Sequence, residues 1–258
     1  MSAPVGAGAT HEPAGGFTNR LLLCDAPGVK ERNQERLGRG GTGDRSEAKR
    51  VVESGYDRIA HRYMEWSDLK PSAVRTWFLK EVLDRLWPGS DVLELGCGSG
   101  LPVGKALAES HHYVGVDISA VQLELAREQV PGATFLKGDF TTMDWPETSF
   151  DAVVSFYSFN HVPIAEQEPT IRRIFGWLRP GGYFCTSLTG GHEFEEVEQD
   201  WLGAPMFFAG VPLETDERML RDAGFELELS EVREEEEHGE VVSFHWVVAR
   251  KPEPPLSG

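Results

Sequence analysis

The chain has no apolar run near the roughly 20 residues that a membrane-spanning helix needs. Its start shows no basic leader followed by an apolar core, so no secretory signal is expected there. Cysteine is scarce: Cys24, Cys97 and Cys185 are the three in 258 residues, an odd count with no paired spacing. A disulfide framework and a metal cluster are therefore not expected, and a reducing, cytoplasmic setting suits such thiols. Positive charge is also short, with 25 Lys and Arg against 42 Asp and Glu and a formal net charge of −17. Nucleic acid and anionic membrane surfaces, which are bound through clustered Lys and Arg, are poor partners for such a chain.

What remains is a length that buries one large core, with a tail or cap to spare. Residues 1–50 are rich in Gly, Ala and Arg and keep no period of 2 or 3.6. Such a stretch cannot offset its ordering entropy, so a disordered tail is expected there, followed by one domain over 51–251 and a short tail over 252–258. From Gly55 the texture changes. "YDRIAHRYMEW" sets Tyr56, Ile59, Tyr63 and Trp66 at helical spacing, and a second helix follows with Pro71 in its first turn and Pro88-Gly89 at its end. Residues 51–88 thus read as an N-terminal helical cap.

Beyond it, short apolar runs alternate with helical patterns: "DVLELG", "HYVGVD", "ATFLKGD", "FDAVVSFYSF" and "GYFCTSLT". That alternation implies a parallel sheet with helices on both faces. "FELELSEV" and "EVVSFHWVVAR" are separated only by "REEEEHG", too short for a crossover, so an antiparallel hairpin is expected at the end.

"VLELGCGSG", Val92 to Gly100, places glycines at alternate positions behind the first strand. In an open α/β sheet that strand end is where a ligand sits. The loop lacks the third glycine of G-x-G-x-x-G and the Gly-Lys-Ser/Thr of a phosphate loop, so neither phosphate motif is met. Glu94, near the same strand end, would repel a pyrophosphate but suits an ammonium group. Asp117 ends the second strand, where a carboxylate binds ribose hydroxyls. Asp139 and Phe140 end the third, an acceptor for an adenine amine beside an apolar surface. S-adenosylmethionine has all of these groups and no phosphate.

Together "VLELGCGSG", "GVDIS", "GDF" and "LRPGGYF" resemble the class I S-adenosylmethionine-dependent methyltransferases, and "YDRIAHRY" is similar to the ubiquinone/menaquinone-type small-molecule branch. The resemblance spans roughly Gly55 to Lys251. It implies a Rossmann-like, mostly parallel sheet of seven strands with the last antiparallel. It also implies that Gly96 and Gly98 meet the methionine part, Asp117 the ribose, and Asp139 with Phe140 the adenine. Cys97, Gly100, Ile118, Ser155 and Phe156 complete the candidate cofactor set, and Tyr56 and Tyr63 would close over it from the first helix.

Methyl transfer is an in-line displacement from an activated sulfonium, so positioning supplies much of the rate and no triad is required. A base is needed only where the acceptor must lose a proton, and His161, beyond the fourth strand, is the candidate. Tyr157 and the apolar Trp201, Met206, Phe207 and Phe208, in a substrate-cap loop over 190–213, are candidates for a pocket that binds a small-molecule acceptor. Two other readings stand beside this one: a non-catalytic S-adenosylmethionine-binding module, and a nicotinamide-dependent oxidoreductase, for which the third glycine is missing.

Overall fold

A computed structural model describes residues 42–70, 72–237 and 240–254. Helix α1 (Thr42–Tyr63) runs into a wide π-type turn, Met64–Asp68. Helix α2 (Ala73–Arg85) starts at Ser72, whose hydroxyl accepts from Arg75 N at 3.0 Å and so satisfies one open N–H of the first turn. Pro71 lies outside the described residues.

Strands and helices then alternate: β1 (Asp91–Leu95), α3 (Val103–Ala108), β2 (His112–Asp117), α4 (Ala120–Gln129), β3 (Thr134–Lys137), β4 (Phe150–Ser155), α5 (Ile164–Trp177) and β5 (Leu178–Leu188). A hairpin of β6 (Phe194–Trp201) and β7 (Ala204–Gly210) follows, then α6 (Leu213–Ala223) and the pair β8 (Glu226–Glu237) and β9 (Glu240–Arg250). The main sheet has seven strands in the order β3-β2-β1-β4-β5-β9-β8. The first five are mutually parallel, and β9 is antiparallel to both β5 and β8. The order reverses beside β1, which makes the carboxyl end of β1 the switch point where a ligand crevice opens.

Each central strand feeds two cores by its alternation. Val92, Val154 and Val248 join the cluster packed under α2 and α3. Their neighbours Leu93, Val153 and Val247 join the one packed under α5 and α6. One residue of register slip would exchange the two faces, so the pairing is strongly specified.

Two sequence expectations are corrected. The tail boundary at residue 50 is too late, because the chain is helical from Thr42 and Ala48 is buried; the earlier part of that tail lies outside the described residues. The 190–213 segment is not a loop. It forms the β6–β7 hairpin, turning through Leu202 (φ 54°) and Gly203 (φ 93°) between the paired Trp201 and Ala204. Two consecutive positive φ angles make a turn whose twist matches the flanking strands, normally signalled by Asn-Gly, and leucine hides that signal.

Helix α1 packs on β7 through Val52, Ile59, Met206 and Phe207. Gly55 explains how close it comes: a Cβ there would lie 2.7 Å from Pro205 O. A mid-helix glycine costs about 1 kcal/mol relative to alanine, and here it lets α1 and the hairpin meet over the carboxyl ends of the sheet.

Candidate cofactor and acceptor sites

The three glycines after β1 serve three different needs. Gly96 (φ 72°) turns beneath Ser158, and a Cβ would sit 2.4 Å from that side chain. Gly100 (φ 76°) packs on Val130, Ala126 and Phe135. Gly98 (φ 51°) is different, because a Cβ there would meet only Gln122 Oε1, at 4.0 Å. It would point into a narrow cavity of about 80 Å³ bounded by the strand ends and α1.

Asp117 lines this cavity. Its carboxylate accepts from Gly98 N at 2.9 Å and Ser119 N at 2.8 Å. Burial nevertheless pushes its pKa up to about 6, because desolvation outweighs those bonds. Ile118, Phe140 and Phe156 supply apolar walls. The amide of Gln122 is fully buried and has no partner on either its nitrogen or its oxygen, the mark of a polar group that awaits a ligand.

The far end is closed by Lys49 of α1. Its ammonium lies 2.7 Å from Asp139 and 2.5 Å from Glu166. Burial lowers its pKa, but the hydrogen bonds to Asp139 and Glu166 win and raise it. Asp139 is therefore not a free acceptor, since Thr141 takes its other oxygen at 2.9 and 2.7 Å. Helix α1 is also tied by Asp57, which accepts from Ser119 Oγ at 2.6 Å and Val121 N at 3.3 Å at the start of α4, where the helix dipole favours a carboxylate.

A second and larger cavity, about 630 Å³, adjoins the first and shares Tyr56, Tyr63, Tyr157 and His161 with it. Its apolar wall is a chain of near-perpendicular rings. Tyr56 and Tyr63 are 5.3 Å apart at 89°, Trp66 and Trp201 are 6.0 Å apart at 85°, and Trp201 and Phe208 are 5.5 Å apart at 81°. The β8 residue Glu235 closes one side, accepting from Tyr157 Oη at 2.8 and 2.9 Å and from Ser72 Oγ at 2.8 Å. Tyr157 holds φ at 54°, unusual for a residue with a side chain, at the border of the two cavities.

His161 sits at that border with both ring nitrogens engaged. Nδ1 lies 2.7 Å from Phe207 O, so it must be the protonated nitrogen and donate. Nε2 then accepts from Tyr56 Oη at 2.8 Å. Burial depresses the His161 pKa to about 4, so the ring is neutral at physiological pH.

Several candidate residues lie off the cavities. Glu94 accepts from Tyr113 Oη at 2.5 Å and lines neither cavity. Cys97 is buried beneath the loop, its thiol pKa raised by desolvation. Ser155 bonds Leu95 O at 3.2 Å, and Gly100 faces α4. Met206 and Phe207 are buried in the cluster with α1 and line neither cavity, whereas Trp201 and Phe208 line the larger one. Sequence reasoning missed Lys49 and Gln122, which line the smaller cavity, and Arg75 and Asn160, which line the larger. Lys49 stands seven residues before Tyr56 and fourteen before Tyr63, so extending the helical stripe backwards would have found it. Gln122, Arg75 and Asn160 carry no comparable signal.

Residues 92–182 match the methyltransferase domain family. A phosphoethanolamine N-methyltransferase of Arabidopsis thaliana is 32% identical over 163 residues, covering 57% of this chain and 31% of that protein. An uncharacterized methyltransferase of Geobacillus kaustophilus is 30% identical over 154 residues, covering 59% of this chain and 62% of that one. The chain spans between 27% and 62% of the curated relatives it matches. In fold it is similar to the 1,6-didemethyltoxoflavin-N1-methyltransferase of Burkholderia thailandensis, solved with S-adenosylhomocysteine, at TM-score 0.66 and 18% identity over 85% of this chain and 95% of that chain. The [4+2]-cyclase SpnF shares the fold at TM-score 0.61 and 18% identity, covering 80% of this chain and 97% of that chain. Residues 92–182 thus resemble a methyltransferase domain, and the chain has the Rossmann-like fold of solved methyltransferases.

Proposed function

We propose that the chain works as an S-adenosylmethionine-dependent methyltransferase on a small-molecule acceptor, with the cofactor in the smaller cavity and the acceptor in the larger. The observation that carries this reading is the shared border: Tyr56, Tyr63, Tyr157 and His161 line both cavities. A group held in one can there meet a group held in the other. The residues of the smaller cavity fit the cofactor. Gly98 leaves open space at the strand end, the partnerless Gln122 amide offers a donor and an acceptor, and Asp117 offers a carboxylate to hydroxyl groups. Among the described residues its one cation, Lys49, is already paired with two carboxylates, so they offer a pyrophosphate no free counter-charge there. Asp139 reaches an adenine amine only by sharing its Lys49-bound oxygen. Glu94 lies under the loop, so its effect on an ammonium group is through field rather than contact.

When bound, S-adenosylmethionine would supply a sulfonium methyl that an acceptor atom can attack in line, with S-adenosylhomocysteine as the leaving group. The chain's contribution is approach and proton handling. The ring wall holds the acceptor and excludes water, a positioning effect that can reach effective molarities of roughly 10⁵–10⁸ M. Where the acceptor must lose a proton, Tyr56 Oη takes it while passing its own to His161 Nε2. His161 therefore acts through Tyr56, because its only lone pair is already used. With a pKa of about 4, His161 is a weak proton sink. Charging it at pH 7 costs roughly 4 kcal/mol, so an acceptor that is already acidic suits this pair better than an alkyl hydroxyl.

The test is calorimetric titration with S-adenosylmethionine, S-adenosylhomocysteine and NAD, followed by incubation with a metabolite extract and a search for a mass gain of one methyl. Binding of the first two without NAD, and a methylated product, are expected. Tight NAD binding with none for S-adenosylmethionine would refute the reading. Cofactor binding without turnover on any acceptor would favour a non-methylating use of the domain, which the fold permits, as the cyclase neighbour illustrates.

A further inference from the structure

The larger cavity holds a buried charge that the proposed reaction does not use. Arg75 of α2 is 4% exposed and lines this cavity. Neutral oxygens hold its guanidinium: Ser67 O at 2.9 Å, Lys70 O at 3.2 Å and Ser67 Oγ at 3.4 Å. Its Nε–H has no partner, and among the described residues no carboxylate lies within ion-pair distance of it. A buried guanidinium without a counter-ion is costly, and the usual resolution is an anion that pairs with it. Asn160, lining the same cavity, has a buried Oδ1 that is also partnerless. Two residues with an unmade donor and an unmade acceptor between them thus line a space walled by Trp66, Trp201, Tyr63 and Phe208, and the Tyr157 ring, 5.8 Å from the guanidinium, is a neutral neighbour and no counter-ion.

We propose that the acceptor is a flat, ring-bearing small molecule carrying an oxyanion, and that Arg75 is the residue that selects it. The oxyanion, a carboxylate, phenolate or enolate, pairs with the Arg75 guanidinium. An N–H or O–H of the same molecule donates to Asn160 Oδ1, and the rings hold its plane beside Tyr56. The rim carries the opposite sign, with Glu234, Glu235 and Glu236. Burial decides between them. Glu234 and Glu236 are exposed and screened by water, and the Glu235 carboxylate is already engaged by the Tyr157 and Ser72 hydroxyls. Arg75 is the desolvated charge, and its field is the one a ligand inside the cavity feels. An oxyanion-bearing ring also matches the weak Tyr56–His161 proton sink, since its O–H or N–H groups are more acidic than those of aliphatic alcohols. The assignment rests on the larger cavity being the acceptor site.

The experiment titrates the full chain, saturated with S-adenosylhomocysteine, with three probes on one ring system: 1-hydroxy-2-naphthoate, 1-naphthol and 1-naphthylmethylamine. Calorimetry is expected to show the hydroxynaphthoate binding at least tenfold tighter than the other two. Arg75→Met should erase that preference while leaving the affinities for 1-naphthol and S-adenosylhomocysteine unchanged. Should Arg75→Met fail to fold, Arg75→Lys serves, and it should weaken the hydroxynaphthoate severalfold and the naphthol hardly at all, because a point charge cannot reproduce the planar donor fork. Tightest binding by the amine would overturn the proposal in favour of a cation site. Equal weakening of all three probes, or no binding of any while S-adenosylhomocysteine binds, would also overturn it. Failure of S-adenosylhomocysteine itself to bind would instead count against the proposed function.

Discussion

Replacing the glycines of the β1–α3 loop one at a time separates cofactor space from fold. All three sit at positive φ, so any side chain costs about 1–2 kcal/mol in left-handed backbone strain. Gly98→Ala adds no more than that, because the new Cβ has nothing nearer than Gln122 Oε1 at 4.0 Å. Gly96→Ala also drives a methyl to 2.4 Å from the Ser158 Cβ, overpacking that adds about 1–3 kcal/mol. Gly100→Ala lies between, with Val130 Cγ2 at 3.1 Å able to yield by a few tenths of an ångström. At about 2–4 °C per kcal/mol for a domain of this size, the melting temperature should fall by roughly 2–8 °C for Gly98→Ala and by roughly 4–20 °C for Gly96→Ala. Cofactor affinity should rank differently. The Gly98 methyl projects into the cavity and should weaken S-adenosylmethionine at least tenfold, whereas Gly100→Ala, facing α4, should leave it within about twofold. Differential scanning calorimetry and isothermal titration read the two quantities separately. Normal cofactor binding by Gly98→Ala together with its loss in Gly100→Ala would refute the assignment of Gly98 to the cavity.

Two further outcomes follow from the site's charges. Lys49→Met leaves Asp139 and Glu166 facing one another without their shared cation, so thermal stability should fall, and a second change, Glu166→Gln, should restore part of it; a single variant as stable as the parent would show that α1 is held by its apolar face alone. His161 has a folded pKa of about 4 against an ordinary 6.5, so the unfolded chain binds its proton first as pH falls, and stability from this group is lost between about 6.5 and 4. The difference in unfolding free energy between the parent and His161→Gln should therefore shrink by roughly 3 kcal/mol from pH 7.5 to 4, and a constant difference would refute the depressed pKa. Comparing the pair removes the opposite trend of Asp117 and Asp216, whose pKa values burial raises to about 6.

The sequence by itself determined the sheet and the loop at its switch point. Short continuous apolar runs such as "DVLEL" and "FDAVV" can bury both faces only between helix layers, and the short "REEEEHG" link permits only an antiparallel return. Glycines at alternate positions with no phosphate motif narrowed the cofactor, because backbone conformation and side-chain absence are written in residue type. What each glycine does was not legible. Gly96, Gly98 and Gly100 look alike in the chain, and only their neighbours from the turn after β4, from α4 and from β3 separate packing from open space. The same limit applies to charge. Asp139 reads as a free acceptor until Lys49, ninety residues away in the chain, is folded onto it. His161 reads as a base until Phe207 and Tyr56 take its two nitrogens. Arg75, an ordinary helix arginine by sequence, becomes a buried charge with no carboxylate partner among the described residues only when α2 packs on the main sheet. Local pattern specifies elements, since propensity and periodicity act over a few residues. Partners and desolvation are long-range quantities, and the tertiary structure alone decided them.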